Sequence, residues 1–153
     1  MKKLIIAIAI CLLSVVGVHA QSSKNNTGDS ILGNYEAVQG GEAFKVRFTK
    51  KTDGTYKAQI YWLEQPNDPK TGKPKLDSKN PDKSKRSQLS SQAVLIDGLK
   101  YNAEKKQWDG AKIYDPQRGL TANVTATFQN DGRLMLKGTI MGIGEKVFWT
   151  PCK

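Results

Sequence analysis

The sequence predicts an all-β domain, a single antiparallel up-and-down β-barrel of about eight strands. Three observations carry that expectation. Apolar and polar side chains alternate with period two over runs of five to nine residues, as they do in strands with one face in and one face out. Turn-forming pairs separate consecutive runs at hairpin spacing. No stretch holds a 3.6-residue repeat between capping residues, so little helix is expected. A meander of this kind leaves two bare edges, and closure into a barrel removes them.

The elements follow in order. Residues 1–20 read as a signal peptide. Lys2 and Lys3 precede an apolar run from Leu4 to Val18, and Ala20 supplies a small residue at the cleavage position. The run is shorter than the roughly 20 residues a spanning helix needs, so no transmembrane segment is expected. The chain is therefore expected outside the cytoplasm, periplasmic or secreted. Cys11 follows the bulky Ile10 inside the apolar run, which argues against a lipidated cysteine. Residues 21–30 are polar and read as a flexible leader. The barrel domain is expected over residues 31–153.

Phe44, Val46 and Phe48 alternate with Lys45 and Arg47, and Tyr56, Ala58, Ile60 and Trp62 alternate with Lys57, Gln59 and Tyr61. Leu120 through Phe128 and Leu134 through Ile140 repeat the rhythm, and Val147 and Trp149 close it. The expected strands lie near 31–38, 43–51, 55–64, 92–100, 107–114, 119–129, 133–141 and 145–150. Gly40-Gly41, Asp53-Gly54, Asn130-Asp131-Gly132 and Gly142 to Gly144 mark turns between them. An eight-stranded barrel has an interior wide enough for packed side chains or one small ligand.

One segment breaks the meander. Residues 67–91 are polar, contain Pro69, Pro74 and Pro81, and form a long basic loop. Seven basic residues stand there against Asp68, Asp77 and Asp82. Cleavage after Ala20 would remove two lysines and no acid from a chain of net charge +10. The loop would then hold about half of what remains. A structureless stretch of this length inside a compact domain usually has a function or moves.

Residue counts narrow the chemistry. The one His is His19, inside the expected signal, and the one Cys beyond it is Cys152. Without His, the domain lacks a Ser-His-Asp or Cys-His nucleophile and an imidazole metal site. No catalytic residues, metal ligands or cofactor are assigned, and an enzyme is disfavoured. Cys152 has no intramolecular partner after cleavage. It reads as a free thiol packed against the last strand, with an intermolecular disulfide as the alternative. Nucleic acid is not expected as a partner, because no basic stripe interleaves with aromatics.

Several pieces, in their order and spacing, resemble a known family. They are Ile31-Leu32-Gly33-Asn34-Tyr35, Asp53-Gly54-Thr55-Tyr56 and Asn80-Pro81-Asp82-Lys83-Ser84-Lys85-Arg86. Trp108 through Pro116, Leu134-Met135-Leu136-Lys137-Gly138 and Val147-Phe148-Trp149-Thr150 complete the set. The chain resembles the bacterial exported family called domain of unknown function 2147. That resemblance implies a lipocalin-like small β-barrel behind a signal peptide, and carries no activity with it. Asn25-Asn26-Thr27 and Asn123-Val124-Thr125 match the glycosylation acceptor pattern, but a bacterial family implies that neither is used that way.

The candidate binding residues are Asn80, Asp82, Arg86, Tyr114, Asp115 and Trp62. Asn80, Asp82 and Arg86 would meet an anionic or polar ligand at the barrel mouth, although Asn-Pro-Asp is also ordinary turn chemistry. Asp115 ends a strand and would pair with Arg86 or reach a ligand, or form an Asx turn. Trp62, with Trp108, Trp149 and the strand phenylalanines, would line an interior cavity or fill the core. The first functional expectation is a small apolar or amphipathic ligand held in the barrel. The second is a filled barrel that meets an anionic envelope surface through the lysines of its loop.

Overall fold

The computed structural model describes residues 22–153, so the expected signal peptide lies outside the described residues. Eight strands follow one another around a closed barrel: β1 (Gly33–Gln39), β2 (Glu42–Lys50), β3 (Tyr56–Leu63), β4 (Val94–Asn102), β5 (Gln107–Asp115), β6 (Leu120–Phe128), β7 (Leu134–Ile140) and β8 (Ile143–Pro151). Every neighbouring pair is antiparallel. The eight strands expected from the runs and the turns between them are all present, close to their expected bounds. Among the described residues no helix is long and apolar enough to cross a membrane.

The up-and-down order gives the barrel two ends. One carries the start of β1 and the β2–β3, β4–β5 and β6–β7 turns. The other carries the β1–β2, β5–β6 and β7–β8 turns and the long β3–β4 connection. The first end is plugged. The described part of the segment expected to be a flexible leader, residues 22–30, instead folds with Ile31 into two short 3-10 turns, Ser23–Asn26 and Gly28–Ile31, that pack into it. Asn25 is fully buried. Its Nδ2 donates to Phe128 O at 2.9 Å, and Phe128 N donates to its Oδ1 at 2.7 Å. Tyr101 Oη donates to Asn25 O at 2.6 Å, and Trp108 Nε1 donates to Gly28 O at 3.0 Å. Ile31, the last residue of this plug, is buried in the core. The polar composition of the segment concealed its role, because its side chain and backbone groups satisfy partners far away in the chain.

Large inward side chains crowd the plugged half. Trp108 stacks edge-on to Phe128, with centroids 5.8 Å apart, and Tyr101 lies 5.2 Å from Trp108. Tyr35, Phe48 and Trp149 form a second aromatic cluster near the barrel's middle. Towards the other end the inward positions shrink to Ala37, Ala122 and Gly138. A Cβ built on Gly138 would lie 3.4 Å from Ala122 Cβ and 3.7 Å from Ile113 Cγ2, its neighbours along the wall on β6 and β5.

Closure of the barrel is short. Among the described residues β1 and β8 share two residue pairs, Tyr35↔Pro151 and Glu36↔Thr150. Cys152 N donates to Asn34 O at 2.9 Å just beyond them. Continued register would set Ala37 opposite Trp149 and Val38 opposite Phe148, but the ladder stops first. The seam is therefore laced at the plugged half and open at the other.

Candidate functional site

Small inward residues and an unlaced seam together leave a cavity of about 1780 Å³ at the unplugged end. It exceeds the roughly 300–1,000 Å³ of ordinary ligand pockets because it continues through the seam onto the outer face beside Val38 and Phe148. Its floor and walls are apolar: Phe44, Ile60, Leu95, Ile113, Leu136 and Trp149. Its rim is charged, and several of the charges pair with one another. Gln39 Nε2 donates to Asp115 Oδ2 at 2.9 Å, which ties β1 to the end of β5 across the mouth. Arg118 Nε donates to the same oxygen at 2.6 Å, and its Nη2 reaches Glu145 Oε2 on β8 at 3.0 Å. Lys75 from the long connection holds Glu42 at 3.0 Å, a half-buried pair.

Burial opposes ionisation of Asp115, but the hydrogen bonds from Arg118 and Gln39 outweigh it and hold the carboxyl below its ordinary range. The hydrogen bond and charge of Arg118 likewise lower Glu145. Both acids are therefore anionic near neutrality, and Arg118 carries the compensating charge. The arrangement gives an apolar chamber beneath a polar strap, which suits an amphipathic guest.

The candidate residues from the sequence divide. Tyr114 and Asp115 line this region. Asp115 pairs with Arg118 rather than with Arg86, because the β5–β6 turn folds its own arginine back three residues. Tyr114 Oη donates to the buried Asp77 Oδ1 at 2.5 Å, and burial followed by that contact pushes its hydroxyl pKa up. Asn80, Asp82 and Arg86 do come together, but as the loop's internal scaffold and away from the cavity lining. Asn80 Nδ2 donates to Asp77 Oδ2 at 2.7 Å, and Arg86 Nε donates to Asn80 O at 2.8 Å. Asp82 Oδ1 accepts from Ser84 N and Oγ, capping the 3-10 turn Lys83–Lys85. The turn chemistry seen in the sequence accounts for all three.

Trp62 is displaced from its expected place. A bulge at Lys45/Val46 pairs Val46 with Ile60 but Lys45 with Trp62, so the alternation of β3 slips by one. Leu63 takes the inward position, and Trp62 turns outward beneath Lys45, 5.1 Å from Nζ to the ring centroid. It does not line the cavity. Of the other tryptophans, Trp149 lines the cavity and Trp108 belongs to the plugged core. The loop lysines are partly spent inside the molecule: Lys75 on Glu42, and Lys79 Nζ on Gln117 O at 2.7 Å. Cys152 is free and half-buried near Tyr61.

Sequence reasoning missed Gln39, Asp77, Arg118 and Glu145. Their partners come from distant strands, so no local spacing marks them. The small inward residues Ala37, Ala122 and Gly138 were the available signal, since each falls at the same end of its strand.

Comparison with known proteins agrees with this architecture. A comparison with curated proteins gave no match. Among solved structures, the chain is similar to protein HP1028 from Helicobacter pylori, described as belonging to the lipocalin family. The TM-score is 0.64 at 21% identity, over 80% of this chain and 83% of that one. That likeness establishes a lipocalin-like fold. The sequence profile of the family described as uncharacterized protein conserved in bacteria, domain of unknown function 2147, matches residues 33–151, from the first barrel strand to the end of the last. The chain belongs to this bacterial family.

Proposed function

We propose that the chain is an exported, non-enzymatic binding protein that holds a small amphipathic ligand in its half-filled barrel. The observation that carries this reading is the contrast between the two halves. Aromatic side chains fill one, while the small residues Ala37, Ala122 and Gly138 line the cavity of the other over an apolar floor. A chain that only needed a stable barrel would gain by filling that space, since a cavity forgoes packing energy. The same contrast weighs against the filled-barrel alternative acting through its loop. The apolar floor suits a hydrocarbon portion, and the Asp115–Arg118–Glu145 strap offers hydrogen-bonding groups to a polar head. Export, in this reading, rests on the pattern of residues 1–20.

The test is saturable binding of the apolar fluorophore N-phenyl-1-naphthylamine, with native mass spectrometry for a co-purified molecule. The protein should bind the probe at one site. Ala122→Phe, which fills the hollow half, should weaken binding at least tenfold, whereas Trp62→Ala on the outer face should leave it within about twofold. Absence of saturable binding, or equal binding by Ala122→Phe, rejects the proposal.

A further inference from the structure

The β7–β8 turn breaks the usual rules for a hairpin. Ile140 and Ile143 pair directly, and Met141 and Gly142 between them have φ of 49° and 79°. Both central residues thus occupy the left-handed region, where Asn-Gly or Asp-Gly is the favoured pair. Met has no short polar group to offset that conformation. It also gains nothing by burial, for it is 98% exposed, with Ile143 at 76%. Leu120, at the start of β6 beside this tip, is exposed too. Folding does not explain why Met141 on the turn and Ile143 beside it stand bare.

Charge behind the tip is also unusual. Lys137 on β7 and Lys146 on β8 face each other as a direct pair. Both are exposed, and neither joins an ion pair among the described residues. Like charges directly opposite on a sheet repel, so the pair is set up to receive an anion. Each lysine stands three residues behind Ile140 or Ile143, about 10 Å along the strands. That is close to the depth to which apolar side chains enter a bilayer interface, with cations remaining at headgroup level. The one acid on this part of β8, Glu145, is neutralised by Arg118.

We infer that the β7–β8 hairpin is a membrane-docking element: Ile140, Met141 and Ile143 enter an anionic lipid surface while Lys137 and Lys146 hold its phosphates. The occupant is lipid rather than protein because the apolar area is a narrow tip backed by unpaired cations, a shape that complements an anionic interface. Docked this way, the mouth of the cavity meets the lipid surface. Ile140, Met141, Ile143 and Lys146 also border the cavity mouth, but the inference concerns contact of the hairpin with lipid and is read by vesicle binding, not by ligand binding.

The test uses the full chain with Cys11→Ser, Cys152→Ser and Met141→Cys, labelled at position 141 with a nitrobenzoxadiazole fluorophore. A second chain carries the label at Glu104→Cys, in the β4–β5 turn at the opposite end. Vesicles of mixed phosphatidylglycerol and phosphatidylcholine should shift emission at 141 to the blue, with little response at 104. Vesicles of phosphatidylcholine alone should give a much weaker shift at 141. Lys137→Ala with Lys146→Ala should weaken the 141 response about thirtyfold, from the free energy each lysine adds near an anionic surface. Ile143→Asp in the 141-labelled chain should weaken it as well. Three results would overturn the inference: no response at 141, equal responses at 141 and 104, or a blue shift that grows with protein concentration without vesicles, which would mark a second copy as the occupant.

Discussion

Asn25 shows how one polar side chain can secure an end of a barrel. It makes two hydrogen bonds to the backbone of Phe128, 103 residues away, and its own carbonyl receives Tyr101 Oη. Asn25→Ala would strand a buried N–H and a buried C=O. The expected loss is about 2–4 kcal/mol of unfolding free energy, from the cost of leaving such groups unpaired. Chemical denaturation measures it, and Asn25→Asp should recover only part, because an anion accepts from the N–H but cannot donate to the carbonyl. Nothing in the local sequence distinguishes Asn25 from Asn26. Its burial is fixed by groups on β4 and β6, which is why residues 21–30 read as a leader.

At the scale of elements, the strands were legible and their irregularities were not. Alternation in β2, β6 and β7 is a property of one strand, so it can be read from one strand. The bulge that turns Trp62 outward belongs to the pairing of β2 with β3, and neither sequence carries a Gly or Pro to announce it. The long β3–β4 connection was legible as a loop, but its anchoring was hidden. Tyr114, Asp77 and Asn80 fasten it to β5 from within, and the β5–β6 turn receives it from outside. There Gly119 has a φ of 71°, and a Cβ on it would lie 2.6 Å from Lys79 O. Gly119→Ala is therefore disfavoured twice, by backbone conformation and by contact. It should cost about 1–2 kcal/mol for the left-handed residue alone and raise amide hydrogen exchange at Lys79 and Asn80. An unchanged exchange pattern would show that the connection does not depend on this approach.

For the molecule as a whole, alkaline pH should be a weak point. Burial, then the hydrogen bond to Asp29, pushes the Tyr56 hydroxyl up to about 12 from an ordinary 10, and burial raises Tyr35 and Tyr114 further. A phenol whose folded pKa is raised contributes stability that is complete below its unfolded pKa and is lost as pH climbs through the folded one. The urea midpoint should thus fall progressively from about pH 10 to 12, and Tyr56→Phe should flatten part of that fall. The hollow half of the barrel was the least legible feature at this scale. Whether inward residues fill a bore depends on which end of each strand carries the small ones, and that emerges only once eight strands share one axis. The short lacing of β1 to β8 also governs how the chain reaches its fold. Tyr35 must find Pro151 almost at the other terminus, so the ring stays broken until the last strand is in place. Pairing so distant in sequence lowers the rate of folding. A chain cut before Thr150 would keep both ladder edges bare, and a nascent barrel would be exposed to wrong partners until its final residues arrive.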